Sequence, residues 1–140
     1  MADCMFVAEN ISAPDRDEIE AVGKTPIDAL RECYVRSFRA WTVTDGSFPV
    51  FVFGLAHEDW QWTAPWAFST PAVSAHAFEF ARGSVRVARK FFSEYPCMRN
   101  YVDARHKVSI HWLRSMGFSV DSPVPYGPLG SEFCLFWHRR

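Results

Sequence analysis

The chain has 140 residues, of which 49% are hydrophobic and 16% aromatic, with 13 Phe and 6 Trp. A chain of this length buries one substantial core, and this composition excludes a disordered or low-complexity protein. The formal net charge of −1 gives no long-range attraction to nucleic acid or acidic membranes. The expected organisation is one domain over residues 1–140. The four cysteines, Cys4, Cys33, Cys97 and Cys134, never stand in CxxC spacing, so they read as free thiols of a reducing compartment and not as a metal site. The N-terminal MADCMFVAEN has no basic start and no long apolar run, and no segment is apolar enough to span a bilayer. The expectation is a cytoplasmic protein with no membrane partner.

Cys4 to Ala8 reads as a first short strand, and Ser12-Ala-Pro-Asp as the start of a brief helix with Ser12 as its cap. Thr25-Pro26 opens a second helix, Thr25 capping and Pro26 in the first turn, with Ile27, Leu30, Tyr34 and Phe38 on one face. From Arg39 the period turns extended. Ala40 to Thr44, the turn Asp45-Gly46-Ser47 and Pro49 to Ala56 make a hairpin, whose second strand is apolar on both faces and so belongs mid-sheet. After a polar turn at His57-Glu58-Asp59, a third antiparallel strand runs from about Trp62 to Thr70, interrupted by Pro65.

Phe78 to Tyr95 is the longest helical segment. It carries an apolar stripe of Phe78, Ala81, Val85, Ala88 and Phe92, a basic stripe of Arg82, Arg86, Arg89 and Lys90, and a stop at Pro96. Tyr101-Val102 form a strand leading into a helix from Lys107, with Val108, Ile110, Trp112, Leu113 and Met116 as its apolar positions. Gly117 ends that helix in the left-handed conformation, and Phe118 folds back onto the last turn. A rigid loop, Ser122 to Gly130, precedes a final strand from Glu132 to His138. A strand end beside a helix start is where folds of this kind place ligands, which marks the unit around His106.

This element order, the hairpin TVTDGSFPVFVFGLAH and the unit ending SMGF resemble the GNAT family of acyl-CoA-dependent N-acyltransferases. The resemblance implies an α/β (α+β) fold, with a mixed, mostly antiparallel central sheet flanked by helices on both faces. It also implies acetyl-CoA as cofactor, an amine as acceptor, and a cleft between the third central strand and the strand of Tyr101-Val102. The backbone of Trp66 to Thr70, with Phe68, Ser69 and Thr70 at its end, would hold and polarise the thioester. A narrower likeness, in GSFPVF, Phe68-Ser-Thr, the basic helix reaching Ser-Glu-Tyr95 and NYV, is to small GNAT-like proteins of podoviruses associated with virion assembly. It implies a phage-encoded chain, phage virion proteins as partners, and a non-catalytic role as the alternative.

The family binds pyrophosphate with a Q/R-x-x-G-x-G/A stretch, because open backbone N–H groups at a helix N-terminus favour anions. Here STPAVSAHAFEFARGSV lacks it, and Arg82-Gly83-Ser84 with Arg86 is the nearest approach. That fragment holds phosphate if its helix starts near Gly83. If the helix starts near Ser74, Gly83 lies inside it and the basic stripe is a solvated face. The family's frequent Tyr acid falls on Leu113, which has no proton to give, and its frequent Asn on His106. The substitutes are His106 and Tyr101, with His111 and Tyr126 nearby, and Glu58, between His57 and Asp59, as a base. Trp112 with Arg114, and Trp137-His138-Arg139-Arg140, could stack and pair with nucleic acid, but core packing explains both tryptophans more simply.

Overall fold

The computed structural model describes residues 1–140. Its first element corrects the sequence expectation: Ala2–Glu9 is a helix, α1, and not a strand. Cys4, Val7 and Ala8, at i, i+3 and i+4, are its buried residues, so the period of burial is helical although the residue types suit a strand. Helix α2 (Ala13–Ala21) follows, with Pro14 in its first turn. Ser12 sits at the cap position without capping by its hydroxyl, which instead lies 3.1 Å from Ser69 Oγ.

Helix α3 (Pro26–Arg36) starts as expected, with Thr25 Oγ1 accepting from the Asp28 N–H at 3.3 Å. It ends before Phe38, however. Leu30 is fully buried while Ile27 and Tyr34 remain partly exposed, so Ala29, Leu30 and Cys33 form the inward face. Phe38 instead opens the sheet and stacks on His57.

The sheet contains β1 (Ser37–Asp45), β2 (Phe48–His57), β3 (Thr63–Ser69), β4 (Cys97–Asp103), β5 (Ser119–Val120), β6 (Val124–Tyr126) and β7 (Ser131–Arg139). Strand order is β1-β2-β3-β4-β7-β5, with β6 also paired to β7. Every pairing is antiparallel except β3 with β4, so the mixed, mostly antiparallel sheet flanked by helices is as expected. Pro65 does not interrupt β3. The Thr70 N–H donates to the Val50 carbonyl, so even-numbered residues face β2 and Pro65 turns its missing donor toward β4.

A 3₁₀ turn (Pro71–His76) leads into α4 (Ala77–Glu94), and α5 (Lys107–Met116) follows β4. Gly117 ends α5 at φ 112°, its N–H and that of Phe118 donating to Arg114 and Leu113 carbonyls as expected for a left-handed cap. Two cores result. One joins α1–α3 to Val52, Trp66 and Phe68 on one face of the first half-sheet. The other joins α5 and Phe118 to Met98, Val102, Cys134 and Phe136 on the second half and to Leu55 of β2, so it reaches across the junction of the halves. No helix is long and apolar enough to cross a membrane.

Candidate active site

The β3–β4 junction is the feature that makes a site. These parallel strands share one register pair, Thr63 with Met98, and then diverge. Backbone alternation turns Pro65, Ala67 and Ser69 of β3, and Arg99, Tyr101 and Asp103 of β4, toward the gap. Side chains occupy most of those backbone groups. Asn100 bridges the narrow part, its Nδ2 donating to the Pro65 carbonyl at 2.8 Å and its Oδ1 accepting from the Tyr101 N–H at 2.8 Å.

At the wide end, two carboxylates one turn apart on α2 clip the strand ends. Asp15 Oδ2 accepts from the Ser69 N–H at 2.7 Å, and Glu18 Oε1 accepts from the Asp103 N–H at 2.7 Å. The Ser12 N–H also donates to the Ser69 carbonyl at 2.9 Å. The Ala67 N–H is therefore the one amide on the β3 edge, past the paired end, for which no side chain substitutes. A cleft of about 990 Å³ opens from this gap, reaching under α4 and α5, with Phe51, Phe80, Gly83, Ser84, Ser109 and Trp112 among its lining.

Burial sets the protonation of the acids. Glu18 is pushed from the usual 4.5 to about 7 by desolvation, against the Asp103 hydrogen bond and with help from the nearby Asp15 and Asp103 charges. Asp15 is also raised by burial, in spite of the Ser69 donors and His106. His106 is lowered by burial, in spite of Asp15 and Asp103. Asp15 Oδ1 stands 4.0 Å from His106 Nδ1, beyond hydrogen-bond reach. His106 Nε2 lies 2.9 Å from Ser109 Oγ. His106 Nδ1 and Trp112 Nε1 are buried without partners, and both residues line the cleft.

Of the residues expected from the sequence, His106 and Tyr101 line this cleft, Tyr101 stacked on Tyr126 at 4.2 Å. Glu58 lines it too, but both its oxygens are held by Arg99, at 2.8 and 2.9 Å. Thr70 turns its N–H and hydroxyl to the Val50 carbonyl, away from the gap, and the Ser69 N–H is already taken by Asp15. The Phe68 side chain belongs to the α1–α3 core.

The condition for a phosphate cradle at Arg82-Gly83-Ser84 is not met. Helix α4 begins at Ala77, so Gly83 lies inside it, and Ser84 Oγ donates back to the Phe80 carbonyl. Arg82 lies over the Phe78 ring on an exposed face, with Arg86 also exposed. At the start of α4, His76 is held between Asp45 and Glu79 and its pKa is raised by those hydrogen bonds. Phe78, expected on the buried stripe, is 73% exposed, and the apolar face of α4 is carried by Ala88 with Phe91 and Phe92.

Asp15 and Glu18 were not singled out from the sequence. The available signal is that they share one face of α2 with the buried Ile19, at i, i+3 and i+4, so carboxylates stand where the helix meets the interior.

A half-sheet pair splayed at two parallel central strands, with helices on both faces, defines the GNAT fold, and this chain has it. Solved N-acetyltransferases share the architecture. A spermidine N-acetyltransferase SpeG chimera from Vibrio cholerae and hSSAT superposes with a TM-score of 0.68 at 13% identity, over 99% of this chain and 90% of that one. The Vibrio cholerae spermidine N-acetyltransferase in complex with CoA and spermine gives 0.68 at 14%, over 97% and 89%. An acetyltransferase from Agrobacterium tumefaciens gives 0.68 at 13%, over 100% and 86%. No family model matches the sequence, and no curated protein matches it.

Proposed function

We propose that the protein is an N-acyltransferase that moves an acyl group, acetyl in the simplest case, from acyl-CoA to an amine bound in the β3–β4 gap. The observation carrying this reading is the divergence of β3 and β4 after a single pair, which leaves the Ala67 N–H facing a cleft of about 990 Å³. Two orphaned buried donor or acceptor atoms beside that cleft, on His106 and Trp112, suit a ligand carrying polar groups along an otherwise apolar arm. The fold of the CoA- and spermine-bound neighbour supports the same class of donor and acceptor.

The cofactor, when bound, supplies an activated thioester carbonyl. The Ala67 N–H donates to its oxygen and stabilises the charge that develops there. Tyr101 or His106 handles the proton of the departing sulfur, with Ser109 orienting the imidazole. Ser69 and Thr70 shape the strand end, and Glu58 fixes Arg99 at the narrow end of the gap. Gly83 and Ser84 line the cleft wall, and Arg82 and Arg86, exposed on the same helix, would supply charge to the diphosphate in place of a glycine cradle.

Calorimetry with acetyl-CoA tests the reading. Micromolar binding that weakens several-fold in the Arg82→Ala, Arg86→Ala double variant supports it, and no heat up to millimolar ligand overturns it. A second reading is a phage-encoded virion-assembly protein that keeps the fold, and its non-catalytic part is favoured by the absent glycines and Leu113. That second reading requires the silent calorimetric result.

A further inference from the structure

We propose that Glu18 is the catalytic base that takes a proton from the acceptor amine, and that it does so at the open end of the β3–β4 gap. This inference rests on the N-acyltransferase reading above and adds the residue that activates the acceptor.

Elimination among the acids that line the cleft singles Glu18 out. Glu58 is held on both oxygens by Arg99. Glu32 is paired with Lys24 and Arg36, and Asp45 and Glu79 are paired with His76. Asp15 gives Oδ2 to both the amide and the hydroxyl of Ser69. Asp103, at the strand end, is paired with Arg105. Glu18 has no cationic partner. Its Oε1 is fixed on the Asp103 N–H, which sets the carboxylate in place, while Oε2 makes no protein hydrogen bond and is not among the sealed, orphaned atoms of the molecule. A carboxylate with one oxygen anchored to a strand end and the other unbonded, on a residue that lines the cleft, is positioned to receive a proton.

Besides desolvation, Asp15 on the same helix and Asp103 on β4 raise the Glu18 pKa by their charge, against the Asp103 N–H, while Arg105, paired with Asp103, and His106 lie in the turn that follows β4. Desolvation brings Glu18 to about 7, the range in which a base is both available and strong enough at neutral pH.

The incoming ammonium gives one proton to Glu18 Oε2, and the freed amine nitrogen attacks the thioester carbon. The N–C bond forms and the C–S bond breaks, its electron pair leaving on sulfur. The second amine proton ends on the thiolate, and Glu18 returns its own to water.

Glu18→Gln is the discriminating variant, because its amide oxygen still accepts from Asp103 while the basicity is gone. With acetyl-CoA and n-butylamine, we expect kcat/KM to fall by about 10²- to 10³-fold. The acidic limb of the wild-type pH profile near 7 is expected to disappear, with acetyl-CoA binding by calorimetry unchanged. Glu18→Ala is expected to recover activity partly with added formate.

A second readout needs no turnover. The carbon-13 carboxyl resonance lost in Glu18→Gln should titrate near 7 in the wild type and move to lower pH on addition of n-butylammonium. An unchanged pH profile and rate in Glu18→Gln, or a titration near 4.5 that ignores the amine, overturns the role of Glu18 and leaves acyl transfer standing. A wild type that binds no acetyl-CoA overturns the transferase reading, and the base role with it.

Discussion

Gly54 lies where β2 passes against the Trp66 indole, and a Cβ there would stand 2.6 Å from the ring and 2.8 Å from the Arg39 carbonyl. Neither neighbour is a flexible chain end, so Gly54→Ala is expected to lower stability by about 1–3 kcal/mol, read as a reduced urea midpoint at unchanged slope. Glu18 makes a second prediction, of opposite sign in function and stability. Its folded pKa, about 7, exceeds the usual 4.5, so the folded chain binds the extra proton between those values. Stability present below pH 4.5 is therefore lost as pH rises to about 7 and is flat beyond it. Glu18→Gln removes that loss, and at pH 8 it should be more stable than the wild type by about 1–3 kcal/mol in chemical denaturation. The sequence marks His106 and Tyr101 because they stand in a strand–helix unit with visible periodicity. It does not mark Glu18, because the Asp103 partner is 85 positions away and nothing local announces the contact.

The elements that read correctly carry their instructions in adjacent residues. Asp45-Gly46 makes the hairpin with Gly46 at φ 63°, Thr25-Pro26 starts α3, and Gly117 ends α5. Gly117→Ala is expected to cost about 1 kcal/mol in thermal or urea unfolding, because φ is 112° and the new Cβ would also meet Phe92 Cε2 at 3.1 Å. The element that reads wrongly, α1, has β-type residues in a helical burial pattern, and its helix is decided by docking on α3 and β2. Helix α4 lies within a residue of its expected start and end, and its expected stripe faces inward at Ala88 and Phe92 but not at Phe78. Phe78 stands in the first turn of α4, straight after the 3₁₀ turn, and is exposed, which the spacing of apolar residues does not convey.

At the scale of the molecule, strand order follows from the alternation of hairpins and crossovers, while the gap does not. It depends on side chains of α2 and Asn100 taking backbone partners that a closed sheet would have supplied. Gly83 lines the cleft beneath α4, and a Cβ there would meet nothing within 4 Å. Gly83→Phe should therefore fold with its melting temperature within a few degrees of the wild type, and should weaken acetyl-CoA binding at least ten-fold by calorimetry. Unaltered binding would place the cofactor elsewhere. The lone rung between Thr63 and Met98 has a consequence beyond the site, because little backbone pairing ties the two halves of the sheet and side chains do so instead, Leu55 of β2 packing in one cluster with Met98 and Phe136. In deuterium uptake the Ala67 amide, which faces the gap, is therefore expected to exchange faster than the ladder-bonded amides of the β2–β3 hairpin, while β1–β3 and β4–β7 lose their protection together.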